Sequence, residues 1–214
     1  MTVKEQHIKP KPASRSRGAL RYTQTSATRG VHHLALTTED MKTTTEFYVR
    51  VVGMPLVHAM KVPAGLGTGP GNRGNPPYER IRHYFFDMGN DSLLAFFEIP
   101  AGAEPGAKRD AIGGMQHCAF AVTPRNLRKL RRRLEANRVP YSGPVDILPG
   151  LESIYFYDPN GIRLEACSQP GARDKPTVVR SLRQRNPEAA SELKTLKGAD
   201  AQWLREMTAA LPKG

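Results

Sequence analysis

Two histidines stand out because the stretch around each occurs twice. Gly30-Val31-His32-His33-Leu34-Ala35-Leu36 returns as Gly114-Met115-Gln116-His117-Cys118-Ala119-Phe120, with one shared skeleton, G-x-x-H-x-A. Imidazole is a metal ligand and a proton carrier near neutrality. In both copies it lies in an apolar run that alternates like a strand. Two related halves carrying one histidine each suggest two imidazoles meeting at one site.

The elements that would hold them repeat as well. In the first half, Val31–Thr37 reads as a strand with His33, Ala35 and Thr37 on one face and His32, Leu34 and Leu36 on the other. Thr38-Glu39-Asp40 offers helix N-caps, and Met41, Thr44, Phe47, Tyr48 and Val51 recur at helical spacing until Gly53 and Pro55 stop them. Leu56–Val62 is a second strand, and Ile81–Met88 with Ser92–Ile99 a hairpin around Gly89-Asn90. In the second half, Met115–Val122 is a strand and Arg125–Asn137 a helix with Leu127, Leu130 and Leu134 on one side. Val145–Ile147 is a short strand, and Ser153–Tyr157 with Ile162–Ser168 a hairpin across Asp158-Pro159-Asn160-Gly161. The unit is βαβββ, present twice, and this internal repeat is the strongest organisational signal in the chain.

Residues 1–29 carry seven Lys or Arg and one acid without hydrophobic period, and read as a basic disordered tail. Residues 171–214 read as a helical extension, with helices over Pro187–Lys197 and Ala199–Leu211. The 214-residue chain has a formal net charge of +12, but ten of those charges fall in these two ends and only two in 30–170. Basic ends can attract phosphate without sequence preference and say nothing of the chemistry between them. The arginines of the second helix flank a leucine stripe and have no interleaved aromatics, so they read as a solvated face rather than a nucleic-acid site. No run approaches the about 20 apolar residues of a membrane span, and no apolar signal-peptide core opens the chain. Cys118 and Cys167 form no disulfide framework and are expected as reduced thiols in a cytoplasmic protein. The loop 63–77, with five Gly and four Pro, lacks the Gly-Lys-Ser/Thr ending of a phosphate cradle; a lid over substrate is an alternative to plain disorder there.

Paired βαβββ modules, a histidine in each first strand and Asp-Pro-Asn-Gly before a Glu-bearing last strand resemble the vicinal oxygen chelate superfamily. That superfamily includes glyoxalase I, fosfomycin and bleomycin resistance proteins, methylmalonyl-CoA epimerase and extradiol ring-cleaving dioxygenases. The resemblance covers 30–170. It implies an α+β fold whose two modules form a cup-shaped mixed sheet around a divalent metal. By position, the implied ligands are His33, His117 and Glu165; His32 faces the other way.

The fourth position departs from the pattern. Overlaying the two hairpins places Ala95 where Glu165 stands, and Glu98, an odd number of residues further on, faces the opposite side. Two histidines with one carboxylate leave open positions that suit Fe(II), a bidentate substrate and O2. Within the superfamily this resembles the extradiol dioxygenases, with Mn, Ni or Zn as alternative metals. The run Ile154-Tyr155-Phe156-Tyr157-Asp158-Pro159-Asn160-Gly161-Ile162-Arg163-Leu164-Glu165 also fits their signature, which implies that Tyr155 hydrogen-bonds a substrate oxygen.

Two further histidines of that pattern are missing: residues 146–149 are Asp-Ile-Leu-Pro, and module one has Asp91-Ser92. His83 and Tyr155 are the remaining candidates for proton transfer, while a core or rim position is the plain reading of His83. The expectation is a metal-dependent dioxygenase acting on an aromatic diol or similar oxygen-chelating small molecule. A glyoxalase-like isomerase or lyase, a resistance transferase and a non-catalytic binding protein are the alternatives. No specific nucleic acid or membrane partner is expected, and a homodimer is compatible with the fold.

Overall fold

The computed structural model describes residues 28, 30–66, 78–100, 108–148, 151–168 and 182–213. Residues 1–27 and 29 of the expected tail, residues 67–77 of the loop 63–77, and residues 101–107 lie outside the described residues. The chain divides into two compact units, one of Arg29–Arg183 and one that holds Gln184–Gly214. No helix among the described residues is long and apolar enough to cross a membrane.

The larger unit contains the repeat. Strands β1 (His33–Thr38), β2 (Leu56–Lys61), β3 (Arg82–Gly89) and β4 (Ser92–Glu98) form one sheet, ordered β1-β4-β3-β2. Strands β5 (Cys118–Val122), β6 (Tyr141–Leu148), β7 (Leu151–Tyr157) and β8 (Arg163–Ser168) form a second, ordered β5-β8-β7-β6. In each sheet the first strand runs parallel to the last and the other pairs are antiparallel. The result is an α+β fold of two βαβββ modules.

Helix α1 (Met41–Glu46) starts where Asp40 accepts from Thr43 N at 2.9 Å. It continues as π-helical turns over Phe47–Val52 and ends at Gly53, whose φ of 88° lies in the left-handed region that glycine tolerates best. Helix α2 (Pro124–Ala136) has Thr123 as N-cap and proline in its first turn.

Both modules contribute to a single core. Leu94, Phe86 and Phe96 from the first sheet and Ile154, Phe156 and Leu164 from the second pack around Phe47, Tyr48, Leu127, Leu130 and Leu134 of the helices. Leu134 is fully buried, so its truncation to alanine would cost about 2–5 kcal/mol. The module-two turn latches onto module one. Asp158 Oδ2 accepts from Tyr48 OH at 3.1 Å, and Asn160 meets Thr38 and Thr44 at 2.7 and 3.2 Å. Burial pushes the Asp158 carboxyl up, while donors from Asn160, Ile162 and Tyr48 pull the other way.

Side chains alternate along a strand, so every residue next to a core position faces away from the core. His33, Ala35, His83, Phe85, Ala95 and Phe97 lie on the outer face of the first sheet. Ala119, Ser153, Tyr155, Arg163, Glu165 and Cys167 lie on that of the second, with His117 immediately before β5.

The smaller unit holds α3 (Asn186–Leu193) and α4 (Ala201–Met207). Asn186 Nδ2 donates to Thr208 Oγ1 at 2.7 Å and ties the two helices together.

Candidate metal centre

On the outer face of the second sheet, β5 pairs Ala119 with Glu165, and β7 pairs Tyr155 with Glu165 from the other side. This register brings His117 Nε2 to 2.9 Å from Glu165 Oε2. The other carboxylate oxygen, Oε1, accepts from Ser153 Oγ at 2.6 Å. Glu165 is only 6% exposed; a carboxylate so covered stays charged only with donors or a cation beside it. Gln116 Oε1 accepts from His117 Nδ1, which leaves Nε2 turned to the carboxylate. Tyr155 stands edge-on to His117, ring centroids 6.0 Å apart. Burial, and then the adjacent Glu165 carboxylate, lift the Tyr155 hydroxyl above its ordinary value.

The donor pair fits a divalent cation. Two ligands at right angles, each about 2.1 Å from an ion, are about 3 Å apart, which is the separation of Nε2 and Oε2. Ser153 and Gln116 hold the far side of each donor, as outer partners of metal ligands do. Sequence reasoning missed both. Ser153 shares the Tyr155 face two residues away, so alternation carried a signal; Gln116 adjoins its histidine, and nothing in the strand pattern marks it.

His33 lies on the outer face of the first sheet. Its Nδ1 is 2.8 Å from His32 Nδ1, so one imidazole donates to the other. His32 is therefore hydrogen-bonded and exposed. Phe85 sits at the centre of this face, with His83 at 4.2 Å, His58 at 5.8 Å and His33 at 6.2 Å between ring centroids. His83 stacks on Phe97 at 3.6 Å and shares a 3.2 Å hydrogen bond with the Phe96 carbonyl through Nδ1. A carbonyl only accepts, so Nδ1 carries the proton and Nε2 keeps its lone pair. Burial lowers the His83 pKa, keeping the ring neutral.

The structure brings His117, Glu165 and Tyr155 together and places His33 and His83 on the other sheet. Among the described residues no three His, Cys, Asp or Glu side chains stand close enough to hold a metal ion. The Glu165 position in module one is Ala95, paired with Ala35 as Glu165 is with Ala119. Glu98 is engaged elsewhere: it pairs with Arg82 and accepts from Met41 N at 3.1 Å. A shallow hollow bounded by Arg128, Arg131, Arg132 and Glu135 lies on the polar side of α2 and includes none of these residues.

Two mixed sheets ordered β1-β4-β3-β2 and β5-β8-β7-β6, with a histidine at the start of β1 and another immediately before β5, define a vicinal oxygen chelate fold. A family model described as the glyoxalase/bleomycin resistance protein/dioxygenase superfamily matches residues 30–166, and the chain belongs to that superfamily. Among solved structures, a glyoxylase/bleomycin resistance protein/dioxygenase domain from Frankia sp. EAN1pec is 19% identical. It aligns over 67% of this chain and 99% of its own, with a TM-score of 0.52. A glyoxalase/dioxygenase from Nostoc punctiforme is 24% identical over 66% and 92%, at 0.48. The fosfomycin resistance protein FosX from Mesorhizobium loti is 20% identical over 73% and 99%, at 0.46. The Frankia likeness bears on the fold alone. No curated protein matches the chain.

Proposed function

We propose that this protein is an Fe(II)-dependent dioxygenase of the extradiol ring-cleaving type, acting on an aromatic diol or a similar small molecule that chelates through vicinal oxygens. The observation that carries the reading is the asymmetry at Ala95. In identical register the second module has a buried carboxylate and the first a methyl group, so the superfamily site is left with His33, His117 and Glu165. Two histidines and one carboxylate suit Fe(II) and leave room for both a chelating substrate and O2; that redox chemistry is what the ion would supply.

The residues of the chain do the rest. Ser153 and Gln116 fix Glu165 and His117. Tyr155, held protonated, donates to a substrate oxygen, and His83, neutral with a lone pair on Nε2, takes the proton of the second hydroxyl. Leu93, Phe85 and Phe97 give this face an apolar wall. The ligand-bearing faces both turn away from the shared core, so in our reading His33 of one copy completes the site of a second copy in a homodimer. Two unpaired thiols, Cys118 and Cys167, agree with a reducing compartment such as the cytoplasm.

A glyoxalase-like isomerase, a resistance transferase or a silent binding protein is the alternative, favoured by the missing histidines at 146–149 and 91–92. Anaerobic loading tests the metal site that this reading requires. The dioxygenase takes up one iron per chain and loses it in His33→Ala, His117→Ala and Glu165→Ala. Metal uptake indifferent to all three substitutions sinks it.

A further inference from the structure

Alternation along β8 puts Arg163 on the same face as Glu165, two residues away, with Tyr157 beside it on β7. Its guanidinium lies 4.2 Å over the Tyr155 ring, and Nη1 donates to Gln116 Oε1 at 3.3 Å. That amide oxygen also holds His117. Arg163 is thus fixed by Tyr155 and Gln116, two of the neutral side chains that border the donor pair.

Its partners differ from those of four other described arginines. Arg50, Arg82, Arg109 and Arg185 each pair with a carboxylate. Arg163 has none within 4.0 Å among the described residues, although it is half-buried. A guanidinium has five donors in a planar fork, and the contacts above use one of them while stacking holds the plane. Glu165 does not consume the remaining charge, because its oxygens are engaged by Ser153 and His117. With a divalent cation added, the face is net positive. A neutral diol would leave that charge and those donors unused; a carboxylate matches them bidentately.

We infer that the substrate carries an anionic group, and that Arg163 receives it: the ligand class is an aromatic diol bearing a carboxylate. The inference rests on the reading of this face as the diol site, and the experiment separates the two.

Calorimetry on the full-length, zinc-loaded protein would compare 3,4-dihydroxybenzoate, catechol and benzoate, with no turnover required. The wild type is expected to bind the dihydroxybenzoate about 10–100-fold more tightly than catechol. Arg163→Met removes that advantage and leaves catechol affinity unchanged, and Arg163→Lys, which keeps the charge without the fork, retains part of it. A far-UV spectrum and zinc stoichiometry like the wild type's confirm that the Met variant is folded. If the advantage survives in Arg163→Met, or if both diols weaken equally, Arg163 only positions Tyr155 and the inference is overturned. Benzoate bound through Arg163 without any gain from the hydroxyls supports the anion anchor and removes the diol reading. If neither carboxylate binds, the anchor falls.

Discussion

His117 Nε2 and Glu165 Oε2 face each other at 2.9 Å, held from behind by Gln116 and Ser153. They are neighbours because parallel pairing sets β5 beside β8 with Ala119 opposite Glu165. The separation is that of two adjacent ligands of one ion, so a metal could enter without rearranging the strands.

Ser153 should therefore tune the site without being a ligand. Ser153→Ala frees Glu165 Oε1 in a buried setting and lets the carboxylate rotate. Metal affinity should fall about 10–100-fold, measured by competition with a chelator, with the fold intact by circular dichroism. Unchanged affinity would mean that Glu165 is oriented by something other than Ser153.

His83 makes stability depend on pH. Its folded-state pKa lies below the ordinary value, so below about pH 6.5 the unfolded chain binds the proton more readily. The contribution is fully present above that value and is lost as pH falls through the folded-state pKa. Thermal melts between pH 7 and pH 5 should show the wild type losing stability more steeply than His83→Phe, which keeps the stack on Phe97 and does not titrate. Parallel melting profiles would remove His83 from the acid response.

A site completed by a second copy predicts complementation. His33→Ala and Glu165→Ala should each fail to hold metal at the centre. In a mixed two-fold dimer one of the two centres would regain His33, His117 and Glu165, so equal mixing after dissociation should restore about a quarter of the sites. No recovery on mixing, with exchange of subunits verified, would place all three ligands within one chain.

What the sequence made legible was governed by alternation. The repeat located β1, β4, β5 and β8, and period two sufficed to set Ala95 against Glu165 and to turn Glu98 away. The latch was not legible: Asp158-Pro159-Asn160-Gly161 reads as a turn, and only tertiary packing brings Tyr48 and Thr44 to it. β6 is longer than the expected Val145–Ile147 because the Gly143-Pro144 pair falls where the register shifts between Ser142 and Val145, and a bulge accommodates residues that otherwise break strands. The separation of His33 from His117 was hidden for a related reason. Each strand shows which face its histidine takes, but not that both modules bury their opposite faces in one core.

The most direct test is O2 consumption by protein reconstituted with Fe(II) without air and then given a catechol. The account predicts catechol-dependent uptake of O2 with a ring-opened product, abolished in His33→Ala, His117→Ala and Glu165→Ala. Tight binding of nickel or zinc with no O2 uptake by the iron form on any diol would contradict it.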